Sequence, residues 1–109
     1  MSDVFYAKDA LKSIAKLFGL KKDLATSFMT FDKKVFEEGA LSTKVKELIA
    51  VGAAHITQCP YCIKGHVERA KKAGATDEEI AEAVFVGVTM SAGAAMAHSS
   101  VAMEALEKS

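Results

Sequence analysis

The chain has 109 residues, 50% of them hydrophobic and 26% charged, the size and balance of one compact domain spanning residues 1–109. Its 14 basic and 14 acidic residues cancel and alternate, as in KKDLATSFMTFDKKVFEE, so there is no basic stripe for a phosphate backbone and no nucleic-acid partner is expected. The N-terminal MSDVFYAKDALKSIAKLFG carries acidic residues and no uninterrupted apolar stretch, unlike a secretory signal. The apolar run AVFVGVTMSAGAAMA, residues 83–97, is shorter than the roughly 20 residues of a membrane-spanning helix.

A cytoplasmic protein without a membrane partner is therefore expected, and there a CxxC pair is catalytic or metal-binding rather than a structural staple. Proline occurs once, at Pro60, and apolar residues recur at spacings of three and four, which predicts an all-α fold. A first helix runs from about Ala7 to Leu17 and stops near Gly19. A second, from about Lys21 to Phe36, places Leu24, Phe28, Phe31 and Phe36 on an apolar side and ends at Gly39 as a left-handed stop.

Ser42 can cap a third helix, whose apolar set Val45, Leu48, Ile49, Val51 and Gly52 continues through Ile56 to the Gln58–Cys59 junction. Pro60 suits the first turn of a fourth, because its missing N–H would be unpaired there anyway. The fourth helix closes on Lys71 and Lys72, with Gly74 just beyond. Thr76 and Glu79 form a capping-box signature for a long final segment, which Gly93 is expected to break or bend. That segment, AEAVFVGVTMSAGAAMAHSSVAMEAL, is apolar on more than one face. So short a chain has few elements to surround it, and burial between subunits of a homo-oligomer is the expectation.

The chemistry concentrates in HITQCPYCIKGH, residues 55–66, which holds both cysteines and two of the three histidines. Three residues apart at a helix start, Cys59 and Cys62 place their Cα atoms roughly 5–6 Å apart, within disulfide range. The helix N-terminus stabilises a thiolate, the form that attacks disulfides and peroxides. His66 lies one turn after Cys62 on the same face, where an imidazole can take the thiol proton. From spacing alone, Glu47 is a surface or capping carboxylate. His55 either lines the site beside Cys59 or is a satisfied, partly buried histidine. His98 has no feature that points to function, and Tyr61 shapes access or donates a proton. A zinc site would need Glu47 or His55 as a fourth ligand beside Cys59, Cys62 and His66, an unpatterned set. A c-type haem needs CxxCH, and position 63 is Ile.

The string ELIAVGAAHITQCPYCIKGH, residues 47–66, closely resembles the carboxymuconolactone decarboxylase-like superfamily in its alkylhydroperoxidase (AhpD-like) branch. The branch motif is Glu, eleven residues, CxxC, three residues and His, and Glu47, Cys59, Cys62 and His66 match it. A looser similarity extends from about Leu24 to Leu106. The resemblance implies a single-repeat AhpD-like helical bundle assembled into a homo-oligomer, commonly a trimer or hexamer. It also implies a cysteine-dependent peroxidase acting on a peroxide. The disulfide would be reduced by a dithiol such as a lipoyl-bearing or thioredoxin-like protein, with no metal or other cofactor required. It assigns Cys62 as attacking thiolate, Cys59 as the resolving and more exposed thiol, His66 as base, and Glu47 as the relay carboxylate orienting His66. Tyr61 stands where some hydroperoxidase members have His. The alternative is the decarboxylase-type lyase acting on a small lactone or acid with His66 and Glu47, a branch that generally lacks the CxxC pair.

Overall fold

The computed structural model describes residues 10–109. They form five α-helices and, among the described residues, no strand: α1 (Ala10–Leu20), α2 (Lys22–Val35), α3 (Thr43–Thr57), α4 (Pro60–Lys72) and α5 (Asp77–Glu107). The all-α expectation holds. The expected helix start at Ala7 lies outside the described residues. The chain divides into two compact units, the first ending at Lys46 and the second running Glu47–Ser109.

In the first unit α1 packs on α2 across the single joint residue Lys21. Helix α1 ends at Leu20, one residue past Gly19, so its stop falls where the sequence places it. Gly39, by contrast, does not end α2 in a left-handed turn. The helix closes at Val35 with Phe36 as its cap, and Gly39 is not among the residues with positive φ. The loop that follows is held by side chains of the next helix: Thr43 Oγ1 donates to Phe36 O (2.8 Å) and Lys46 Nζ to Glu37 O (2.6 Å). Ser42 caps α3 as expected, its Oγ accepting from Val45 N–H at 3.1 Å.

In the second unit, α3, α4 and α5 are joined by two turns of the same design. The N–H of Cys59 returns to Ala54 O (3.2 Å) and that of Ala75 to Ala70 O (2.9 Å), the six-to-one bonds of a Schellman stop. The left-handed residue is Gln58 (φ 58°) in the first turn and Gly74 (φ 99°) in the second. Each turn ends on the cap of the next helix, Cys59 for α4 and Thr76 for α5, where the full capping box with Glu79 is present. The core is small-residue packing. Val51, Ala70 and Ala75 are buried, with Leu48, Val67, Ile80, Ala83 and Val84 partly buried against them.

Helix α3 and helix α5 approach closely at Gly52 and Gly87. A Cβ on Gly87 would stand 2.6 Å from Gly52 O, so backbone rather than side chains forms this contact. Helix α5 runs 31 residues without interruption through Gly93, correcting the expected break: its i→i−4 ladder outweighs the weak helix propensity of one glycine. The length of α5 also corrects the argument against a membrane span. By length and composition it is apolar enough to cross a bilayer, with a mean hydropathy of 1.6 over an 18-residue window. The run taken to Ala97 understated it, because beyond His98 the chain stays free of Asp, Glu, Lys and Arg as far as Met103.

Candidate active site

The site is built where α3 ends and α4 begins. Cys59 has extended backbone (φ −109°, ψ 99°), the geometry of an N-cap, and its Sγ accepts from Cys62 N–H at 3.2 Å. Pro60 at the next position has no N–H to leave unpaired, so the helix starts cleanly after the first cysteine. Cys59 and Cys62 are joined as a disulfide with Cα atoms 5.2 Å apart, inside the range expected from the spacing. Both residues are half-buried.

Glu47 is the one buried charged residue among those described, 3% exposed. It lies on α3 in line with Val51 and Ala54, the positions that face the core, so the helical period draws it inward with them. Burying a carboxylate is costly unless it is bonded. Here Oε1 accepts from His66 Nδ1–H at 2.6 Å across 19 residues of sequence. The carboxylate thereby fixes which ring nitrogen carries the hydrogen and directs Nε2 away from itself. His66 is 15% exposed and stands one turn after Cys62 on α4. The surface reading of Glu47 is therefore corrected. Its cause is the Ala- and Gly-rich face of α3, whose small residues allow close approach without looking strongly apolar.

The other candidates separate from this pair. His55 is half-buried and its Nδ1–H donates to Val51 O at 2.7 Å, folding the ring back along its own helix. Tyr61 is half-buried at the second position of α4. His98 is exposed on the distal half of α5. Among the described residues no group of three or more His, Cys, Asp or Glu side chains is arranged to hold a metal ion. Sequence reasoning gave no notice of Gln58, a non-glycine residue held left-handed immediately before the first cysteine.

An all-helical domain with a CxxC pair capping a helix, and a buried Glu–His pair beside it, defines a thiol-bearing α-protein. The chain belongs to the carboxymuconolactone decarboxylase family, whose model matches residues 22–105. It is 50% identical over 82 residues to uncharacterized protein 4 in the cox locus of Paracoccus denitrificans, covering 75% of this chain and 74% of that one. A crystal structure of a carboxymuconolactone decarboxylase family protein from Legionella pneumophila matches with a TM-score of 0.70 and 36% identity, over 93% of this chain and 90% of that one. A Thermotoga maritima member matches with a TM-score of 0.60 and 32% identity, over 77% and 87% of the two chains, and a candidate role in antioxidative response is ascribed to it.

Proposed function

We propose that the chain is a cysteine-dependent alkylhydroperoxidase, a thiol–disulfide oxidoreductase of the AhpD-like type. The observation that carries this reading is the Cys59–Cys62 disulfide at the start of α4, with His66 one turn on and oriented by buried Glu47. In the reduced enzyme, His66 takes the Cys62 thiol proton and the thiolate attacks the terminal peroxide oxygen. The O–O bond breaks, the sulfur becomes a sulfenic acid, and the departing alkoxide takes a proton from His66 to leave as alcohol. The Cys59 sulfur, held by the amide of Cys62, attacks the sulfenic sulfur and water departs, forming the disulfide. An external dithiol, such as a lipoyl-bearing or thioredoxin-like protein, returns two electrons and two protons. The need for that reductant favours a cytoplasmic location.

We further propose that the working form is a homo-oligomer. Phe85, Val86, Val88, Met90, Met96, Val101, Met103 and Leu106 on α5 are each 51–73% exposed. Together they leave on the order of 800 Å² of apolar surface, about one partner's share of a standard interface. A groove of about 350 Å³ lined by Leu48, Ile49, Ile56, Val86 and Met90 continues this surface onto α3. Other copies of the chain, rather than lipid, are the proposed cover.

The test is consumption of tert-butyl hydroperoxide with dihydrolipoamide as reductant, comparing wild type with Cys62→Ser and His66→Ala. Loss of turnover in Cys62→Ser and a fall of about 100-fold or more in His66→Ala are expected. Full turnover in Cys62→Ser would overturn the reading. Activity toward a lactone surviving in the double Cys→Ser variant would instead favour the lyase, for which the Glu47–His66 pair supplies acid and base.

A further inference from the structure

Positions 62, 65, 66 and 69 form one stripe of α4, at spacings of three, four and seven. The stripe begins with Cys62, passes Gly65 and His66, and ends at Arg69. The Arg69 side chain folds back along it: a Cβ on Gly65 would lie 3.7 Å from the Arg69 Nη2, its nearest neighbour. Because Gly65 has no side chain, the guanidinium occupies the helix surface about one turn from Cys62.

Arg69 is exposed and, among the described residues, has no ion-pair partner. Glu68 is its sequence neighbour, and adjacent helical residues do not face each other. The carboxylate of Glu47 is taken by His66. Lys71 and Lys72 remain to complement the helix end, Lys71 through its 2.5 Å pair with Asp77. Arg69 instead turns its guanidinium back from the helix end to lie over Gly65. Lys64, two residues after Cys62, projects from the opposite side of the helix.

We propose that Arg69 is a specificity-determining residue that holds the carboxylate of the oxidising substrate, so that the site selects organic hydroperoxides bearing a carboxylate over neutral ones. The planar fork of a guanidinium matches a carboxylate in two parallel hydrogen bonds. Seated over Gly65, it places the rest of a small substrate along the stripe toward Cys62. The inference rests on the dithiol reading above, with Cys62 as the sulfur that meets the oxidant.

The experiment separates anion selection from peroxide turnover by using alkylation of the reduced enzyme. Iodoacetate and iodoacetamide attack the same thiolate and differ in one carboxylate, so their rate ratio at Cys62, read by mass spectrometry in Cys59→Ser, cancels any change in thiolate reactivity. Arg69→Gln is expected to lower the iodoacetate-to-iodoacetamide ratio about three- to fivefold, and Arg69→Lys by less. Salt is expected to shrink the ratio in the parent and leave it flat in Arg69→Gln. The surface control Lys72→Gln keeps the parent ratio. An unchanged ratio in Arg69→Gln overturns the inference, as does an equal fall in Lys72→Gln, which would mean general surface charge. A wild type inert toward tert-butyl hydroperoxide, with the Arg69 effect on the ratio intact, would remove the peroxidase reading and leave the anion site standing.

Discussion

The contact between Gly52 and Gly87 allows a stability prediction to be worked from distances. In Gly87→Ala the new Cβ would stand 2.6 Å from Gly52 O, 3.3 Å from its carbonyl carbon and 3.4 Å from its Cα. An ordinary carbon–oxygen contact is about 3.3 Å, so α3 and α5 must separate by about 0.7 Å, and neither side is a side chain that can turn away. Overpacking of this kind costs about 1–3 kcal/mol, against which alanine returns about 0.5–1 kcal/mol of helix propensity. The control is Gly65→Ala in α4. Its Cβ meets only the flexible tip of Arg69, at 3.7 Å, so it keeps the propensity gain without the collision. The difference between the two variants isolates the contact, about 1–3 kcal/mol, or roughly 4–12 °C in Tm. Urea and thermal unfolding at one fixed protein concentration measure it, since the stability of the proposed oligomer would depend on concentration. If Gly87→Ala were as stable as Gly65→Ala, the backbone contact would not be what sets the distance between α3 and α5.

Glu47→Ala strips the partner from His66 Nδ1–H and is expected to cost about 1.5–3 kcal/mol, whereas Glu47→Gln keeps an acceptor and should cost less; equal losses in urea unfolding would refute the hydrogen-bond account. Gln58→Gly relieves a left-handed non-glycine residue and should stabilise by about 1 kcal/mol, while Gly74→Ala, at φ 99°, should destabilise by a similar amount; the opposite signs in thermal unfolding would contradict the turn assignment. Met96→Glu puts a charge on the exposed apolar surface of α5, and light scattering should show a smaller assembly; an unchanged mass would place the interface elsewhere. With peroxide and dimedone, Cys59→Ser should accumulate a trapped sulfenic acid at Cys62. An adduct appearing instead at Cys59 in Cys62→Ser would reverse the order of attack.

The helices were legible wherever a local signal had a local cause. Ser42 and the Thr76–Glu79 box cap their helices in the structure because each satisfies backbone groups within one turn of itself, and Pro60 opens α4 behind the Cys59 cap because it has no N–H to leave unpaired. Glycine as punctuation was less dependable: Gly19 and Gly74 mark stops, Gly39 and Gly93 do not, and Gln58 does a glycine's work unannounced. The difference lies in what surrounds each residue. Gln58 is left-handed because the Schellman bond from Cys59 to Ala54 requires it, and that bond is not encoded in the residue at the turn. Within the candidate site, the cysteines and His66 could be placed from i, i+3 and i+4 spacing on one helix. The meeting of Glu47 with His66 joins two helices, and spacing within either one says nothing about it. Only the family motif paired that carboxylate with His66.

The two sulfurs of the disulfide sit in different surroundings, and in the proposed peroxidase this would divide the work between them. Cys59 is the cap: its sulfur receives a main-chain N–H, which favours negative charge there whatever the side chains do. Cys62 lies inside the first turn, on the stripe that carries His66 and Arg69, where acid–base chemistry and substrate charge can act on it. In the proposed cycle the sulfur that receives a main-chain N–H would resolve the sulfenic acid, and the one a turn before His66 would meet the peroxide. That division is economical only if α4 keeps its register against α3, since Glu47 reaches His66 from the other helix. The buried residues that hold this register are few and small, Val51 with Ala70 and Ala75. So slight a core supplies little of the burial on which a domain's stability rests. The proposed covering of α5 by other copies would therefore do more than hide apolar surface: it would supply the burial that keeps the Glu47–His66 pair aligned with the dithiol.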